Sequence, residues 1–185
     1  SIVVFIQDEI AIVVQDGGIL SIQDSLLYSY PSCSWWISAE NGAELTIEQS
    51  TLTGSGTSTH GGINVGCDSA VIDGCHISEF GGDGIIIGGC TGVQVENNVV
   101  TSCTHEAIGF ARTSDLIISG NQISDCGYCG IYGTESADVI IRENNVSTTT
   151  YSGVCLNQVT VSKVTSNIFS ETSQDAISIE YCDNI

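Results

Sequence analysis

The sequence predicts an all-β solenoid in which every coil contributes three short strands, and three observations support this prediction. The stretch from Val93 to Asn167 matches itself at a shift of 23 residues, so that VQVENNVVTSC, LIISGNQISDC and VIIRENNVSTT align. A fixed period of about 20 to 50 residues is typical of repeat architectures. Several aligned columns are entirely apolar, and one column is occupied by asparagine in four successive coils.

Three apolar columns run through every coil from residue 72 onward, each within a short run of alternating apolar and polar residues. The first is Ile72, Val95, Ile118, Ile141 and Val164, the second is Ile77, Val100, Ile123, Val146 and Phe169, and the third is Ile85, Ile108, Ile131, Val154 and Ile177. Gly, Asn and Ser separate these runs. Such a pattern indicates three strands per coil, named first, second and third in chain order, and excludes a helix pair.

The asparagine column lies at the turn between the first and second strands. It contains Asn98, Asn121, Asn144 and Asn167, and Cys75 occupies the same column one coil earlier. Asparagine tolerates the left-handed backbone of a tight turn. Stacked side-chain amides also hydrogen-bond to one another at the strand spacing of about 4.8 Å. The column therefore predicts an asparagine ladder along the solenoid.

These columns resemble the right-handed parallel β-helix repeat, whose members include pectate lyases, polygalacturonases, alginate epimerases and phage tailspikes. The resemblance covers residues 18–185. It implies a right-handed, single-stranded parallel β-helix of about seven to eight coils, each of about 23 residues and three strands. A fold of this kind hosts many functions, so the resemblance is specific for architecture and weakly informative about activity.

The chain is predicted to form one β-helix domain over residues 1–185, because no linker or low-complexity segment interrupts it. Residues 1–17 contain two β-branched runs and are interpreted as an incomplete N-terminal coil, whereas 18–185 form regular coils. The coil over 18–42 is longer, since Leu20 precedes Leu45 by 25 positions. The chain has no Met, and its last residues match the opening of a further coil, so we expect a segment of a longer protein.

The charge balance is strongly acidic. The chain has 22 acidic residues and only three basic ones, Arg112, Arg142 and Lys163, so its formal net charge is −19. This net charge is large for a chain in which only 14% of the residues are charged. Nucleic acids, anionic lipids and acidic polysaccharides need a cationic surface, so none is an expected partner. Membrane insertion is not expected either, because no apolar stretch is long enough. The acidity favours solubility in a salty or extracellular setting. No cofactor is predicted, and calcium is the one cation left open.

Nine cysteines are unusual for a soluble β-helix, and their positions in the repeat indicate which of them lie on adjacent coils. Cys67 and Cys90 are 23 residues apart, as are Cys103 and Cys126, so each pair occupies one column on adjacent coils. Their Cα atoms are expected about 4.8 Å apart, within the disulfide range of about 4.4 to 6.8 Å. Disulfides between coils of an extracellular protein are one interpretation. Reduced, packed thiols and a metal cluster that includes Cys129 are the alternatives.

An odd number of cysteines leaves at least one thiol over after pairing. In a secreted protein such a thiol suggests a bond to another chain. The candidates for this intermolecular bond are Cys33, Cys155 and Cys182. Cys155 is expected to point outward from the third strand, beside Tyr132.

Outward positions of the first strand predict a surface for self-association. Val71, Ile117 and Ile140 are apolar at positions that face away from the core, and adjacent coils would join them into a stripe. A contiguous exposed apolar stripe marks an interaction surface, here with copies of the same chain. The sequon that begins at Asn145 is a candidate glycosylation site, because this residue adjoins the inward ladder residue Asn144 and should point outward.

A candidate catalytic group lies in the turn before the third strand. Its column reads Asp83, Glu106, Cys129, Ser152 and Asp175, and His105 stands beside Glu106. Asp83 and Glu106 are expected about 5 Å apart, a separation at which two carboxylates can serve a retaining glycosidase or bind a cation. Stacking brings any two residues of one column together, so the group is a hypothesis that needs further support.

The motifs of the resembled enzymes are missing. The Asn-Thr-Asp, Asp-Asp, Gly-His-Gly and Arg-x-Lys elements of polygalacturonases have no counterpart beyond His60-Gly61-Gly62. Arg112 and Arg142 do not lie in a lyase motif. The Tyr-Gly-Phe-Asp-Pro-His motif of alginate epimerases is absent, and Pro31 is the only proline.

The sequence therefore favours an extracellular, self-assembling structural protein of the cell surface, such as an envelope layer, sheath, fibre or adhesin, reinforced by disulfides. The alternative is a carbohydrate-active enzyme, similar to a glycoside hydrolase or polysaccharide lyase, that acts on a neutral glycan. Whether the chain is an enzyme stays open at this point, with the missing motifs favouring a non-catalytic role.

Overall fold

A computed structural model describes residues 3–6, 10–29, 35–56 and 61–185. These residues wind into a right-handed β-helix with 23 strands, numbered β1 to β23 in chain order. The strands form three parallel sheets, one for each strand of the coil, which confirms the predicted fold class. Within these ranges no helix is long and apolar enough to cross a membrane.

Each sheet stacks the equivalent strands of successive coils. The first sheet contains β3 (Ile19–Gln23), β6 (Glu44–Glu48), β9 (Val71–Asp73), β12 (Gln94–Glu96), β15 (Ser114–Ser119), β18 (Ala137–Arg142) and β21 (Lys163–Thr165). The second contains β1 (Val3–Ile6), β4 (Leu26–Ser29), β7 (Thr51–Thr53), β10 (His76–Ser78), β13 (Val99–Thr101), β16 (Gln122–Ser124), β19 (Asn145–Thr149) and β22 (Ile168–Thr172). The third contains β2 (Ile10–Val14), β5 (Trp35–Ala39), β8 (Ile63–Val65), β11 (Ile85–Gly88), β14 (Ile108–Ala111), β17 (Ile131–Thr134), β20 (Val154–Asn157) and β23 (Ile177–Glu180).

The strand register places residues of one column side by side. Val95 pairs with Ile72 on one side and with Ile118 on the other. In the longer coil, Leu20 pairs with Leu45. Residues 23 apart are therefore neighbours on adjacent rungs, as the repeat predicts. The spacing is 25 in two successive longer coils, where Ile47 pairs with Ile22 and with Ile72.

The apolar columns line the inside of the winding and form the core. Ile72, Val95 and Ile118 have no exposed surface. Complete burial of an aliphatic side chain stabilises a fold by about 1.5–3 kcal/mol, so three such columns supply the main stabilising term. The last coil is less covered, because Val164 and Phe169 are only partly buried against the core.

The asparagine ladder is present in the structure. Asn98 donates from Nδ2 to Oδ1 of Asn121 at 3.0 Å, Asn121 to Asn144 at 2.9 Å, and Asn144 to Asn167 at 3.0 Å. Each Oδ1 also accepts from a main-chain N–H of the preceding rung, including that of Cys75. The ladder thus satisfies buried polar groups of the turn, whose desolvation would otherwise be costly.

The left-handed residue of this turn is not the ladder asparagine that the sequence suggested. Asn97 has a φ of 56°, and Gly74, Gly120, Glu143 and Ser166 hold the same position in their coils. The ladder residue follows immediately and directs its amide along the stack. Its amide serves hydrogen bonding, while the residue before it makes the turn.

Small residues open the third strand because adjacent rungs and core side chains approach closely there. A Cβ atom added at Gly130 would lie 2.4 Å from Cγ1 of Val146 and 2.8 Å from the main-chain oxygen of Gly153.

The described part of residues 1–17 contains β1 and β2, which pair with β4 and β5.

Candidate functional site

Two clefts lie side by side on the outer face of the third sheet and meet at Tyr132, which lines both. The cleft at the Asp83 end has a volume of about 230 Å³ and the cleft at the Glu180 end about 190 Å³. Together they form what we call the third-sheet groove. Its lining residues are Asp83, Ile86, Glu106, Gly109, Phe110, Ala111, Tyr128, Tyr132, Thr134, Tyr151, Cys155, Leu156, Asn157, Ser178 and Glu180.

Strand alternation explains which of these residues point into the groove, and it directs the buried side chains of Phe110 and Leu156 to the core. Ile85 and Ile87 are fully buried, whereas Ile86 between them is exposed. Tyr132 occupies the outward column of Ile86 and pairs with Gly109 on one rung and with Cys155 on the next. Because Gly109 has no side chain, the sheet surface next to the ring of Tyr132 is left uncovered at this position.

Asp83 and Glu106 are brought together at one end of the groove, as the sequence predicts. Each lies in the turn that precedes its third-sheet strand. The main-chain N–H of Glu106 donates to Oδ1 of Asp83 at 3.1 Å. Burial raises the pKa of Glu106 to about 7, and the hydrogen bond with Asp83 and the negative charge of Asp83 add to this effect. Near neutral pH a substantial fraction of Glu106 is therefore protonated, whereas an ordinary glutamate is ionised.

His105 completes a cluster of potential ligands. One ligand atom each of Asp83, His105 and Glu106 lies within 4.8 Å of the others. Two carboxylates and an imidazole suit a transition metal better than calcium, which prefers six to eight oxygen ligands. A cation here would compete with the proton of Glu106, so the cluster can hold either a proton or a cation.

An aromatic wall flanks the middle of the groove. The rings of Tyr128 and Tyr151 stack with centroids 4.9 Å apart and an interplanar angle of 9°. The two residues sit on adjacent rungs at equivalent turn positions. Tyr128 is 43% exposed, so ring surface is accessible to a ligand.

A disulfide joins Cys129 to Cys155 beside this aromatic wall, with Cα atoms 6.4 Å apart. Cys155, an expected intermolecular thiol, therefore bonds within its own chain, and that prediction is wrong. The two cysteines are 26 residues apart, one rung plus three positions. One sulfur comes from a turn and the other from the following rung's strand, so their side chains can converge.

The structure does not contain the disulfides Cys67–Cys90 and Cys103–Cys126, which were predicted because the two cysteines of each pair share a column. Cys67, Cys90, Cys103 and Cys126 are buried and carry free thiols. Stacked side chains of one column run parallel, whereas a disulfide needs Cβ atoms that face each other with a torsion near 90°. The alternative of reduced, packed thiols describes these four residues.

Two of the free thiols interact. Cys103 donates from Sγ to the main-chain oxygen of Thr101 and Cys126 to that of Ser124. The interaction with Cys126, together with burial, raises the pKa of Cys103 far above its ordinary value. Cys182 is partly buried, and its sulfur accepts from the main-chain N–H of Val159 at 3.3 Å. Cys33 lies outside the described residues, so its role as an intermolecular thiol stays a prediction.

The outward apolar residues of the first sheet do not form a continuous stripe. Val71, Ile117 and Ile140 are half-buried, and Gln94 pairs with both Val71 and Ile117. Lys163 follows Ile140 on the next rung. Only Ile117 and Ile140 are direct neighbours, so the polar residues of the same column interrupt the predicted surface.

Asn145 is exposed at the start of β19, an orientation that leaves the predicted sequon accessible. Its glycosylation stays a prediction. His60, noted in the sequence beside two glycines, lies outside the described residues.

Sequence reasoning missed the part of the groove that lies beyond the carboxylates. Tyr132, Asn157, Ser178 and Glu180 line it, yet none was predicted as a site residue. The sequence did contain an indication of this part of the groove. Gly109, Tyr132 and Cys155 occupy one outward column of the third strand on successive rungs. The predicted site rested on the turn column alone.

Comparison with known proteins identifies the class of this chain. The model of the right-handed β-helix region matches residues 61–185, so the chain belongs to the right-handed β-helix family. A search of curated proteins finds no match.

Solved structures with the same fold are similar to the chain at low sequence identity. A point mutant of the periplasmic alginate epimerase AlgG is 15% identical with a TM-score of 0.65, covering 96% of this chain and 50% of that one. The Azotobacter vinelandii mannuronan C-5 epimerase AlgE6 A-module is 13% identical with a TM-score of 0.60, covering 95% and 54%. The Dettilon tailspike protein is 15% identical with a TM-score of 0.58, covering 98% and 55%. The chain spans about half the length of these structures, and at such identities the likeness shows the fold alone.

Proposed function

We propose that this chain is a carbohydrate-active β-helix whose third-sheet groove binds a glycan and whose Asp83 and Glu106 cleave a glycosidic bond. The observation that carries the proposal is the close pair of Asp83 and a partly buried Glu106 at the end of a groove lined by tyrosines, and the raised pKa of Glu106 supports it. Of the two functions that the sequence leaves open, this geometry favours the carbohydrate-active one.

The two carboxyl groups have the properties that glycosidic cleavage requires. A protonated Glu106 can donate its proton to the departing glycosidic oxygen. The charged Asp83 carboxylate can then attack the anomeric carbon and form a covalent intermediate, which water resolves with Glu106 as the base. Retaining enzymes keep their carboxyl groups about 5–5.5 Å apart, and inverting enzymes about 6.5–9.5 Å. One carboxylate oxygen of Asp83 lies within 4.8 Å of one of Glu106, and the two side chains hydrogen-bond to each other, so the pair is closer together than the carboxyl groups of an inverting enzyme.

The remaining groove supplies binding surface. The apolar faces of a sugar ring pack on aromatic rings, and Tyr128, Tyr132 and Tyr151 offer such rings on two successive rungs. Asn157 and Ser178 add groups that can hydrogen-bond sugar hydroxyls. The names of two structural neighbours, an alginate epimerase and a mannuronan epimerase, support a glycan as the ligand class.

The disulfide supports a location outside the reducing cytosol. Disulfides persist in oxidising compartments, and Cys129–Cys155 borders the groove itself. We therefore propose a secreted or extracellular setting, where polymeric glycans are accessible.

The proposal is tested by release of reducing ends from a panel of polysaccharides. Asp83→Asn and Glu106→Gln are expected to lose at least about 100-fold in rate, the usual contribution of a general acid. Asp138→Asn changes an exposed carboxylate of the first sheet and serves as the matched control. Unchanged turnover in Glu106→Gln would contradict the proposed role.

Self-association at the cell surface is the second candidate function, and the neighbouring outward residues Ile117 and Ile140 favour it. Sedimentation of the chain over a range of concentrations tests this candidate. Assembly that Ile117→Ser and Ile140→Ser abolish would support it, and a monomer at every concentration would exclude it.

A further inference from the structure

Resting on the proposed function, we infer that the third-sheet groove selects a glycan with free amino groups, a cationic amino-sugar polymer, over a polyuronate. The acidic residues that line the groove are Asp83 at one end and Glu180 at the other, together with Glu106, whose raised pKa leaves it partly protonated near neutral pH. None of the residues that line the two clefts is lysine or arginine. A ligand that carries positive charge is the electrostatic complement of such a surface.

Arginine and lysine, of which the chain has three in all, line neither cleft. Arg142, in the first sheet, faces Glu96 at 3.9 Å and Glu143 at 3.7 Å. Lys163 begins β21, also in the first sheet. Arg112 lies in the turn after β14 and lines neither cleft. With a formal net charge of −19, the whole molecule repels a polyanion and attracts a polycation before contact.

The aromatic wall suits the same ligand. Tyr128 and Tyr151 present ring surface to the groove, with Tyr132 on the neighbouring strand. Ring faces attract ammonium groups within about 6 Å of the centroid and also pack against the C–H faces of sugars. An amino sugar offers both features, whereas a uronate offers its C–H face together with a charge of the wrong sign.

The order of groups along the groove fits a short oligosaccharide. Asp83 and Glu106 occupy one end, the tyrosines the middle, and Glu180 the other end. Glu180 lies four rungs beyond Asp83, roughly 19 Å along the axis at the strand spacing of about 4.8 Å, and it stands five residues further along its coil than Asp175 in the column of Asp83. Acidic groups at both ends can each hold an ammonium group while the rings between them pack against the sugars.

Binding of four oligosaccharides of equal length to the full chain tests the inference. They are a glucosamine oligomer at a pH where its amines are protonated, its fully N-acetylated form, a neutral glucose oligomer and a mannuronate oligomer. Titration calorimetry at low salt is expected to give the glucosamine oligomer a Kd at least about tenfold below that of its N-acetylated form. The mannuronate oligomer is expected to bind most weakly.

Two variants assign the selectivity to the groove. Glu180→Gln is expected to weaken binding of the glucosamine oligomer severalfold more than binding of the N-acetylated oligomer. Asp138→Asn removes the same charge from the first sheet and is expected to change neither. Equal losses in the two variants would assign the preference to net charge alone and overturn the groove as its source.

The outcomes separate this inference from the proposed function. Equal affinity for the amino and N-acetylated oligomers, or tighter binding of the mannuronate oligomer, would overturn the amino-sugar inference while a glycan-binding groove stands. Failure of all four oligosaccharides to bind would overturn both.

Discussion

Glu106 has surroundings that differ from those of an ordinary surface carboxyl group. It is partly buried in the turn before β14, next to the carboxylate of Asp83, and its pKa is raised to about 7. The rung spacing brings the two acids together, and burial then determines which protonation state is stable. The same pair that would act on a glycan therefore also affects the stability of the fold.

The free energy of unfolding should depend on pH through Glu106. Because the folded pKa is raised, the folded state binds this proton more tightly than the unfolded state between pH 4.5 and about 7. This contribution to stability is fully present below pH 4.5 and is lost as the pH rises through about 7. Urea unfolding across this range should show that the free energy of unfolding falls as the pH rises. In Glu106→Gln this fall should be smaller. An unchanged pH profile in Glu106→Gln would contradict the assignment.

Gly130 illustrates how closely adjacent rungs approach. Gly130→Ala places a Cβ 2.4 Å from Val146 and 2.8 Å from a main-chain oxygen, so we expect a loss of about 1–3 kcal/mol in unfolding free energy. Gly88→Ala is the matched control, because nothing lies within 4 Å of its added Cβ. Denaturant unfolding of both variants checks the prediction, and equal stabilities would refute it.

The asparagine ladder behaves as one structural element, since the side chains of Asn98, Asn121 and Asn144 each hydrogen-bond to the rungs before and after them. Asn121 makes four such bonds: its Oδ1 accepts twice from Asn98, and its Nδ2 donates to Asn144 and to the main-chain oxygen of Val95. Loss of one member therefore leaves partners unsatisfied on both sides.

Asn121→Ala is expected to lower the free energy of unfolding by roughly 2–4 kcal/mol, since each buried hydrogen bond contributes about 1 kcal/mol. Asn145→Ala removes an exposed asparagine and should change stability by no more than about 0.5 kcal/mol. Thermal and urea unfolding of both variants provide the measurement. A similar small effect in the two would show that the ladder is not a major stabilising element.

The stacked tyrosines form a second element of this kind. Tyr128→Ala and Tyr151→Ala should each weaken glycan binding by about 2- to 10-fold, the range expected for an aromatic contact of about 0.5–1.5 kcal/mol. The loss of binding free energy in the double variant should be smaller than the sum of the two single losses, because the rings stack on each other at 4.9 Å. Tyr28→Ala, in the second sheet, is the control. Binding titrations that find independent effects would argue against a shared wall.

The whole molecule is a rod in which every rung depends on its neighbours, and the Cys129–Cys155 disulfide adds one covalent link between two rungs. A disulfide restricts the unfolded chain and typically stabilises by about 2–4 kcal/mol. The link also borders the groove, so it couples the stability of the rod to the shape of the candidate site.

Reduction should therefore lower the Tm of the wild-type chain and have a much smaller effect on a variant that carries both Cys129→Ser and Cys155→Ser. Calorimetry with and without a reducing agent makes this comparison. Electrophoresis under the same two conditions reports any bond between chains. A wild-type Tm that does not respond to reduction would contradict a structural role for this disulfide.

Most of the architecture could be predicted from the repeat. The apolar columns, the three sheets, the longer coil at Leu20 and the stacking of Asn98 on Asn121 all follow from a constant period, because residues one period apart become neighbours on adjacent rungs. The closeness of Asp83 and Glu106 followed for the same reason. The position of the left-handed residue did not, since the period does not reveal which residue of a turn adopts it.

The sequence by itself determined the register of this protein and every contact between residues of one column, because these depend only on the spacing along the chain. Tertiary structure alone decided which side chains from different columns converge: Cys129 with Cys155, Tyr132 with both clefts, and Glu180 with the far end of the groove. Such contacts depend on the direction of each side chain and on the bend of each turn. Backbone geometry sets both, and a one-dimensional period does not encode it.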